Sequence, residues 1–447
     1  MGQVDAARAA VAGVLPGVRQ ALEGLIRIPS VSADPAASVH MLRSAATVAA
    51  LLRLAGLDEV ETVQAPAGRP AVLGRWAGPP GSPTVLLYAH HDVQPPGDPS
   101  AWQTPPFEPV ERAGRLYGRG AADDKAGIAV HLATLRALGS TPPVGVVVLV
   151  EGEEEVGSPT LPALLEIHRA RLAADVIVLA DSTNWRVGVP ALTTSLRGGV
   201  NVVVEVSTLQ HAVHSGLYGG PVPDALTVLA RLLATLHDDQ GNVAVDGLSS
   251  GMADPLDLTE ATLRADAGVL DGVALIGSGS LTSRLWAGPA ISVVGIDSPA
   301  VEEASLSLVP RARAKVSLRI GPSDDADAAR TALVDHLMLR APWGAHVEVT
   351  AGQPVQPFQA PTSGPAYAAA RSAFADAWGV EPVEIGVGGS IDFVPTFATA
   401  FPEAEILITG VEDPDTRAHG ANESLHLADF ERACLAELLF LTRLAGF

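Results

Sequence analysis

The stretch Tyr88–Pro95 reads YAHHDVQP and directly follows the apolar segment Thr84–Leu87. Apolar strands usually end in turn-forming residues. This one ends in imidazole and carboxylate groups, which are costly to bury unless a partner or a metal ion satisfies them. Polar residues follow other apolar segments of the chain in the same way. The recurrence predicts a metal site at the edge of a sheet.

Composition limits the class of protein. The chain has 447 residues, 47% of them hydrophobic, and a formal net charge of −21 at pH 7. A chain of this length is too long to fold around one ordinary hydrophobic core, so two domains are expected. The acidic charge argues against nucleic acid or an anionic membrane as the main partner, and no apolar run reaches the ~20 residues of a membrane-spanning helix.

Cysteine usage narrows the metal chemistry and the predicted location. The one cysteine, Cys434, cannot form a thiolate cluster, so any metal must be held by His, Asp and Glu. The N-terminus carries Asp5 and Arg8 among alanines, without a basic-then-apolar signal pattern. These features predict a reducing, cytoplasmic location.

Apolar strands alternate with helical patterns in the first and last parts of the chain. Such alternation indicates an α/β sheet covered by helices on both faces. The predicted strands are Ala71–Trp76, Thr84–Ala89, Val144–Val150, Val176–Ala180 and Ile406–Thr409. The predicted helices are Val4–Arg27, His40–Leu54, Ala126–Leu138, Leu161–Leu172, Ala366–Trp378 and a final helix from Ala428.

The middle of the chain has a different pattern. Its predicted elements follow the order β-α-β-β-α-β, which is typical of a ferredoxin-like α+β domain. They are Val200–Val206, Asp224–Leu236, Ile291–Ile296, Arg313–Ile320, Asp325–Leu339 and His346–Thr350. The segment His237–Gly288 is an insertion without a predicted structure. We therefore expect residues 193–356 to form a domain inserted into an α/β domain made of residues 1–192 and 357–447.

Acidic and imidazole side chains follow the predicted strands, at the edge where α/β sheets place their binding sites. Each alone has an ordinary interpretation, such as a helix N-cap for an aspartate. Together, several acids at one sheet edge would repel one another, and a dication removes that repulsion. The residues are His90, Asp92, Asp123, Asp124, Glu151, Glu153, Glu154, Glu155, Asp181 and His419.

Carboxylate and imidazole donors suit Zn²⁺, Mn²⁺ or Co²⁺. Two histidines and at least three acids exceed the needs of one tetrahedral ion, whereas two ions sharing a carboxylate fit the count. Two such ions, about 3.5–4 Å apart, polarise a carbonyl and activate a bridging water. One carboxylate must then stay off the metal ions to take the proton of that water. The adjacent pair Glu154–Glu155 offers one base and one ligand.

The chain resembles the carnosinase/aminoacylase/carboxypeptidase G-type metallopeptidase family, and the resemblance covers nearly its whole length. It rests on motifs that occur in order along the chain. These are YAHHDVQP at Tyr88–Pro95, GRGAADDK at Gly118–Lys125, EGEEEVGS at Glu151–Ser158, Asp181, HSG at His214–Gly216 with Gly219–Gly220, GGSI at Gly388–Ile391 and HGANE at His419–Glu423.

The resemblance implies a di-metal, aminopeptidase-like catalytic domain with a mixed, largely parallel sheet. By the same resemblance, His90 and Asp181 bind one ion, Glu155 and His419 bind the other, and Asp123 bridges them. Zn²⁺ is the expected ion, with Mn²⁺ or Co²⁺ as alternatives. A cis Asp123–Asp124 peptide is typical of the family.

Two further residues gain catalytic roles from the resemblance. Asp92 orients His90 by contacting the ring nitrogen of His90 that does not face the metal ion, which fits the His-x-Asp spacing. Glu154 acts as general base, taking a proton from the attacking water to give a metal-bridged hydroxide, and then delivers that proton to the leaving amine.

The inserted lid domain, by the same resemblance, mediates homodimerisation. His214 then reaches the partner's active site and stabilises the oxyanion. Arg319 holds the substrate carboxylate, and Gly389 and Ser390 line its pocket.

The variants of the motifs favour the dipeptidase branch of the family. Asp181 is Asp in dipeptidase-like members and usually Glu in deacylases and carboxypeptidases. The sequence therefore predicts a hydrolase of dipeptides or similar small amides. An N-acyl amino acid deacylase or amidase on the same site is the alternative, and a non-catalytic relative of the fold is the second. His91, Gly386 and Asp392 depart from the family pattern near the substrate pocket, without changing a predicted metal ligand.

Overall fold

The computed structural model describes residues 2–389, 391 and 393–446. Its first compact unit comprises Met1–Thr194, Ala360–Ile385 and Asp392–Phe447, and its second comprises Ser195–Gln359 and Gly386–Ile391. The sequence predicts an inserted domain of residues 193–356. The second unit has nearly these bounds and also contains a short segment, Gly386–Ile391, that lies far from the rest of the unit in sequence.

The strands are numbered here in chain order. They are β1 Glu59–Val63, β2 Ala71–Trp76, β3 Thr84–His90, β4 Val110–Arg112, β5 Arg115–Tyr117, β6 Gly145–Glu151, β7 Val176–Leu179, β8 Ala191–Leu196, β9 Gly198–Ser207, β10 Val213–His214, β11 Ala290–Asp297, β12 Ser307–Leu308, β13 Arg311–Ile320, β14 His346–Ala351, β15 Phe358–Gln359, β16 Val383–Val387, β17 Glu405–Ile408 and β18 Ser424–His426.

The α-helices are numbered in the same way. They are α1 Gln3–Ile26, α2 Ser38–Leu54, α3 Lys125–Leu138, α4 Leu161–Ile167, α5 Arg169–Leu172, α6 Ser215–Tyr218, α7 Ala225–Ala234, α8 Glu260–Ala267, α9 Ala326–Leu339, α10 Pro365–Trp378, α11 Phe393–Ala400 and α12 Leu427–Leu444. None of the helices in the described part of the chain is long and apolar enough to cross a membrane.

A mixed sheet forms the centre of the first unit, in the order β1-β2-β6-β3-β7-β17-β8. Strands β6, β3, β7 and β17 run parallel, while β1, β2 and β8 are antiparallel to their neighbours. Every residue of β6 and of β7 is buried, as expected for strands covered on both faces. The predicted mixed α/β sheet is confirmed.

The helices around this sheet begin and end at residues suited to those positions. Helix α3 begins after Asp124, whose carboxylate accepts a hydrogen bond from the Gly127 N–H at 3.1 Å. It ends at Gly139, whose φ of 75° a residue with a side chain rarely adopts. Helices α1, α3, α10 and α12 pack against one another. Their fully buried leucines, such as Leu22 and Leu439, each stabilise the unit by about 1.5–3 kcal/mol.

The second unit contains a four-stranded antiparallel sheet in the order β11-β13-β9-β14. Helices α7 and α9 pack on it, so the predicted β-α-β-β-α-β order is present as β9-α7-β11-β13-α9-β14. Residues of β9 alternate toward the core, where Val200, Val202, Val204 and Val206 are buried. The insertion without a predicted structure contains α8 and a π-helical turn, Ser283–Ala287.

Candidate metal centre

His90 ends β3, and its ring faces two carboxylates. Strands β6 and β7 flank β3 in parallel register, so their carboxyl ends meet at one edge of the sheet. The buried Nε2 of His90 lies 3.2 Å from Asp123 Oδ1 and 3.8 Å from Asp181 Oδ2. Among the described residues it has no hydrogen-bond partner. A buried imidazole nitrogen that makes no hydrogen bond and lies beside two carboxylates is an arrangement that a cation would satisfy.

The predicted metal ligands lie together in two groups that share Asp123. The first consists of His90, Asp123 and Asp181, and the second of Asp123, Glu155 and His419. Within each group, one donor atom from every residue lies within 4.8 Å of the others. The Asp123–Asp124 peptide bond is cis, as the resemblance implied. These two groups could each hold a metal ion, with Asp123 placed to serve both.

His419 approaches this cluster from the loop after β17. Its Nε2 lies 3.1 Å from Asp123 Oδ2 and 3.2 Å from Glu155 Oε2. These two carboxylates raise the pKa of His419 to about 11. The position therefore favours positive charge, whether a proton or a metal ion carries it.

The acids of the cluster show the same need for positive charge. Burial, followed by repulsion from Asp123 and Glu155, raises the pKa of Asp181 to about 7. Burial is also the main cause that raises the pKa of Glu154 to about 9. Dications at the two groups would lower both pKa values, because positive charge favours the carboxylate form. The oxygen and nitrogen donor set and its charge therefore fit divalent metal ions.

Asp92 connects the two sides of the cluster. Its Oδ1 lies 3.4 Å from His90 Nδ1, and its carboxylate accepts hydrogen bonds from the backbone N–H groups of Glu154 at 3.2 Å and Glu155 at 3.1 Å. Gln94 also contacts Glu155, because its N–H donates to Glu155 Oε1 at 2.9 Å. Asp92 thus fixes the ring of His90 relative to the turn that carries both glutamates.

Glu154 lies beside the donor groups without belonging to either. Its Oε2 is 3.9 Å from His90 Nε2, and its side chain is 19% exposed. Glu155, in contrast, is 3% exposed and directed at His419. The pair left open by the sequence is thereby distinguished in geometry, with Glu155 among the donors and Glu154 next to them.

The predicted oxyanion and substrate residues that the structure describes lie in the second unit. His214 is exposed, and its Nδ1 accepts a hydrogen bond from Gly216 N–H at 3.0 Å, which caps α6. Arg319 lies on β13 opposite Gly199, and Gly389 belongs to the segment Gly386–Ile391. Ser390 falls outside the described residues. The substrate and oxyanion roles of these residues remain predictions.

Several buried contacts around the cluster were not predicted from the sequence. The Nζ of Lys125 donates to the carbonyls of Leu25 at 2.9 Å and Ile28 at 2.8 Å. Arg119 Nη1 lies 2.6 Å from Glu423 Oε2, so the two side chains form a buried ion pair. Both glutamate and arginine belong to motifs that were recognised, but a motif gives no partner for residues separated by some three hundred positions.

Comparison with known protein families identifies the class of this protein. Residues 86–442 match peptidase family M20/M25/M40. The chain belongs to this family. The predicted family and the predicted hydrolase class are confirmed.

Two curated relatives and one solved structure show how closely this peptidase resembles known members. It is 39% identical over 370 residues to a cysteinylglycine-S-conjugate dipeptidase of Corynebacterium striatum, covering 80% of this chain and 81% of the relative. It is 29% identical over 437 residues to the beta-Ala-His dipeptidase of Rattus norvegicus, covering 91% and 88%. Human carnosine dipeptidase 1 has the same fold, with a TM-score of 0.81, 24% identity and 100% coverage of both chains.

Proposed function

We propose that this protein is a di-metal dipeptidase that hydrolyses the peptide bond of dipeptides. The observation that carries the proposal is the pair of donor groups joined at Asp123, with Glu154 beside them and outside both. The names of the two curated relatives, both dipeptidases, give the substrate class. Asp181, the acid expected in the dipeptidase branch, supports the same assignment.

The residues that would hold the two ions follow from the donor groups. His90 and Asp181 would hold one ion, Glu155 and His419 would hold the other, and Asp123 would serve both. Zn²⁺ is the ion we propose, and Mn²⁺ or Co²⁺ suits the same donors. When bound, the ions polarise the scissile carbonyl and lower the pKa of the attacking water.

Glu154 is the proposed general base. Its carboxylate lies beside the donor groups, belongs to neither and is partly open to solvent, so it stays free to accept a proton from the attacking water. It takes a proton from the attacking water and delivers that proton to the leaving amine, which departs neutral. Asp92 maintains the tautomer and direction of His90, because its backbone carbonyl at 3.2 Å and its carboxylate at 3.4 Å both face Nδ1 and leave Nε2 toward the donor cluster.

The second unit is the proposed lid and homodimerisation domain. We assign His214 to stabilisation of the oxyanion in the partner's active site, and Arg319, Gly389 and Ser390 to binding of the substrate. The support is the resemblance of the HSG and GGSI motifs. An arginine is also suited to bidentate binding of a substrate carboxylate.

A substrate panel tests the proposed function. Protein reconstituted with Zn²⁺, Mn²⁺ or Co²⁺ is assayed with unmodified dipeptides, with the same dipeptides acetylated at the amino group, and with N-acetyl amino acids. We expect kcat/KM for dipeptides to exceed that for both acetylated classes by at least about 100-fold. Chelator-treated protein is the control for contaminating peptidases.

The alternatives give different results in this panel. Faster cleavage of N-acetyl amino acids than of dipeptides would identify a deacylase on the same donor set. No hydrolysis of any class by protein that binds two ions would favour a non-catalytic relative of the fold.

A further inference from the structure

Glu423 is a buried carboxylate with four hydrogen-bond donors around it. It is 0% exposed. Its Oε2 accepts from Arg119 Nη1 at 2.6 Å and from the Gly120 N–H at 3.0 Å. Its Oε1 accepts from the backbone N–H groups of Ala122 at 3.0 Å and Asp123 at 3.2 Å. One side chain therefore organises the whole turn that ends in Asp123, the residue shared by both donor groups.

The same contacts join this turn to the loop that carries His419. Glu423 lies four residues after His419, and its backbone carbonyl accepts from the Gly118 N–H at 3.0 Å. From the opposite side, Arg119 Nη2 donates to the carbonyl of Gly420, next to His419, at 3.2 Å. Two segments separated by about three hundred positions in sequence are thus joined by reciprocal contacts.

A carboxylate at this position requires an explanation, because the carboxylates of Asp123 and Glu412 lie near enough to repel it. An isolated buried charge is costly, and Arg119 offsets that cost by pairing with Glu423. An apolar residue could fill the space but would leave three backbone N–H groups without acceptors. The buried pair of His131 and Glu437, at 2.8 Å in the same unit, provides a comparison, since neither residue contacts a predicted ligand by a hydrogen bond.

We propose that Glu423 is a positioning residue of the metal centre, which sets the separation of Asp123 and His419 and hence the affinity for the ion held between them. This role rests on the proposed two-metal function. His419 has a φ of 61° and is 60% exposed, so little packing of its own holds it against Asp123. The hydrogen bonds of Glu423 and Arg119 provide that restraint.

Metal affinity measured with the metal alone tests this role without any assay of activity. Chelator-treated wild-type protein is titrated with Zn²⁺ in competition with a chromophoric chelator, and we expect two ions per chain. Glu423→Gln should keep the fold and lose about 10–100-fold in affinity for one of the two ions. The matched control is Glu437→Gln, the same change at a buried carboxylate outside the cluster, which should bind Zn²⁺ as the wild type does.

A second variant keeps the test sharp if Glu423→Gln is unstable. Arg119→Met combined with Glu423→Gln removes both charges, so no guanidinium is left buried and unpaired. A folded double variant with the same weakened ion supports the positioning role of the Glu423–Arg119 pair. Wild-type affinity for both ions in either variant overturns the positioning role and leaves the proposed metal centre standing. Fewer than two ions bound by wild-type protein overturns the proposed metal centre and, with it, the positioning role.

Discussion

At the scale of single residues, Asp123 is the position on which both donor groups depend. Its two oxygens face different imidazoles, with Oδ1 3.2 Å from His90 Nε2 and Oδ2 3.1 Å from His419 Nε2. Burial alone raises the pKa of Asp123, but these imidazoles hold its pKa well below the usual range. Asp123 therefore stays a carboxylate, which is the form that a bridging ligand needs.

His131 provides a prediction on the pH dependence of stability. Its Nδ1 lies 2.8 Å from Glu437 Oε2 and its Nε2 lies 3.1 Å from the carbonyl of Tyr88. Both partners are acceptors, so only the doubly protonated ring satisfies both. Burial lowers the pKa of His131, but the Glu437 carboxylate outweighs it and the pKa is raised above 6.5.

A raised pKa in the folded state fixes the sign of the effect. The stability from this pair is complete below the unfolded-state pKa near 6.5 and is lost as the pH rises through the folded-state pKa. Glu437→Gln should therefore cost about 1–3 kcal/mol at low pH and less at high pH. Urea unfolding of both proteins between about pH 6 and pH 9 measures the difference. A difference that grows with pH would contradict this account.

The adjacent histidines show what the sequence reveals about single residues and what it leaves open. Successive side chains of a strand point to opposite faces, so His90 and His91 cannot both face the cluster. The structure directs His91 Nε2 to the carbonyl of Pro70 at 2.8 Å. The motif and the resemblance were enough to choose His90. The contacts of Glu423 and Gln94 could not be predicted, because they depend on how distant segments meet.

At the scale of elements, two glycines predict opposite responses to the same substitution. Gly13 lies within α1, and a Cβ there would have no atom within 4 Å. Gly410 follows β17, and a Cβ there would lie 1.6 Å from the carbonyl oxygen of Ser182. A side chain at position 410 would therefore force the loop after β17 away from the loop after β7.

Gly13→Ala should raise the free energy of unfolding by about 0.5–1 kcal/mol, because alanine restricts the unfolded chain and favours helix. Gly410→Ala should lower it by at least about 1–3 kcal/mol, because the backbone must move. Urea unfolding of the two variants, each compared with wild type, is the measurement. A Gly410→Ala variant that is as stable as wild type would show that the two loops are not packed as described.

Most long and strongly apolar elements were predicted within a residue or two, whereas the strands of two or three residues were missed. The segment predicted as Val144–Val150 is β6, Gly145–Glu151. The three-residue strands β5 and β18 pair with each other across the chain, and a pattern so short carries no periodicity. The predicted helix Leu161–Leu172 is wrong as a single element, because α4 and α5 are separated at His168.

At the scale of the whole molecule, the change of pattern along the chain predicts one domain inserted into another, and the structure divides the chain into two compact units. The sequence does not predict that Gly386–Ile391 belongs to the second unit, because six residues with no periodicity carry no sign of the unit they join. The oligomeric state belongs to the same scale. The proposed homodimer and the action of His214 on the partner's site remain predictions.

Mixing two inactive variants tests that action. Protein with His214→Ala keeps Glu154, and protein with Glu154→Gln keeps His214, so a mixed dimer contains one complete site. Random exchange at equal concentrations should restore about a quarter of wild-type activity. Mixed dimers detected by differential tagging are the control for exchange. No activity despite proven exchange would contradict a His214 that acts across the dimer.

The turnover of Glu154→Gln with two ions bound tests the central claim most directly. Glutamine cannot accept the proton of the attacking water, whereas the donors His90, Asp123, Glu155, Asp181 and His419 are unchanged. We predict that the variant folds, binds two ions and hydrolyses dipeptides with a kcat lower by about 10²–10⁴-fold. Near-normal turnover by the folded, two-ion variant would contradict the assignment of Glu154 as the general base.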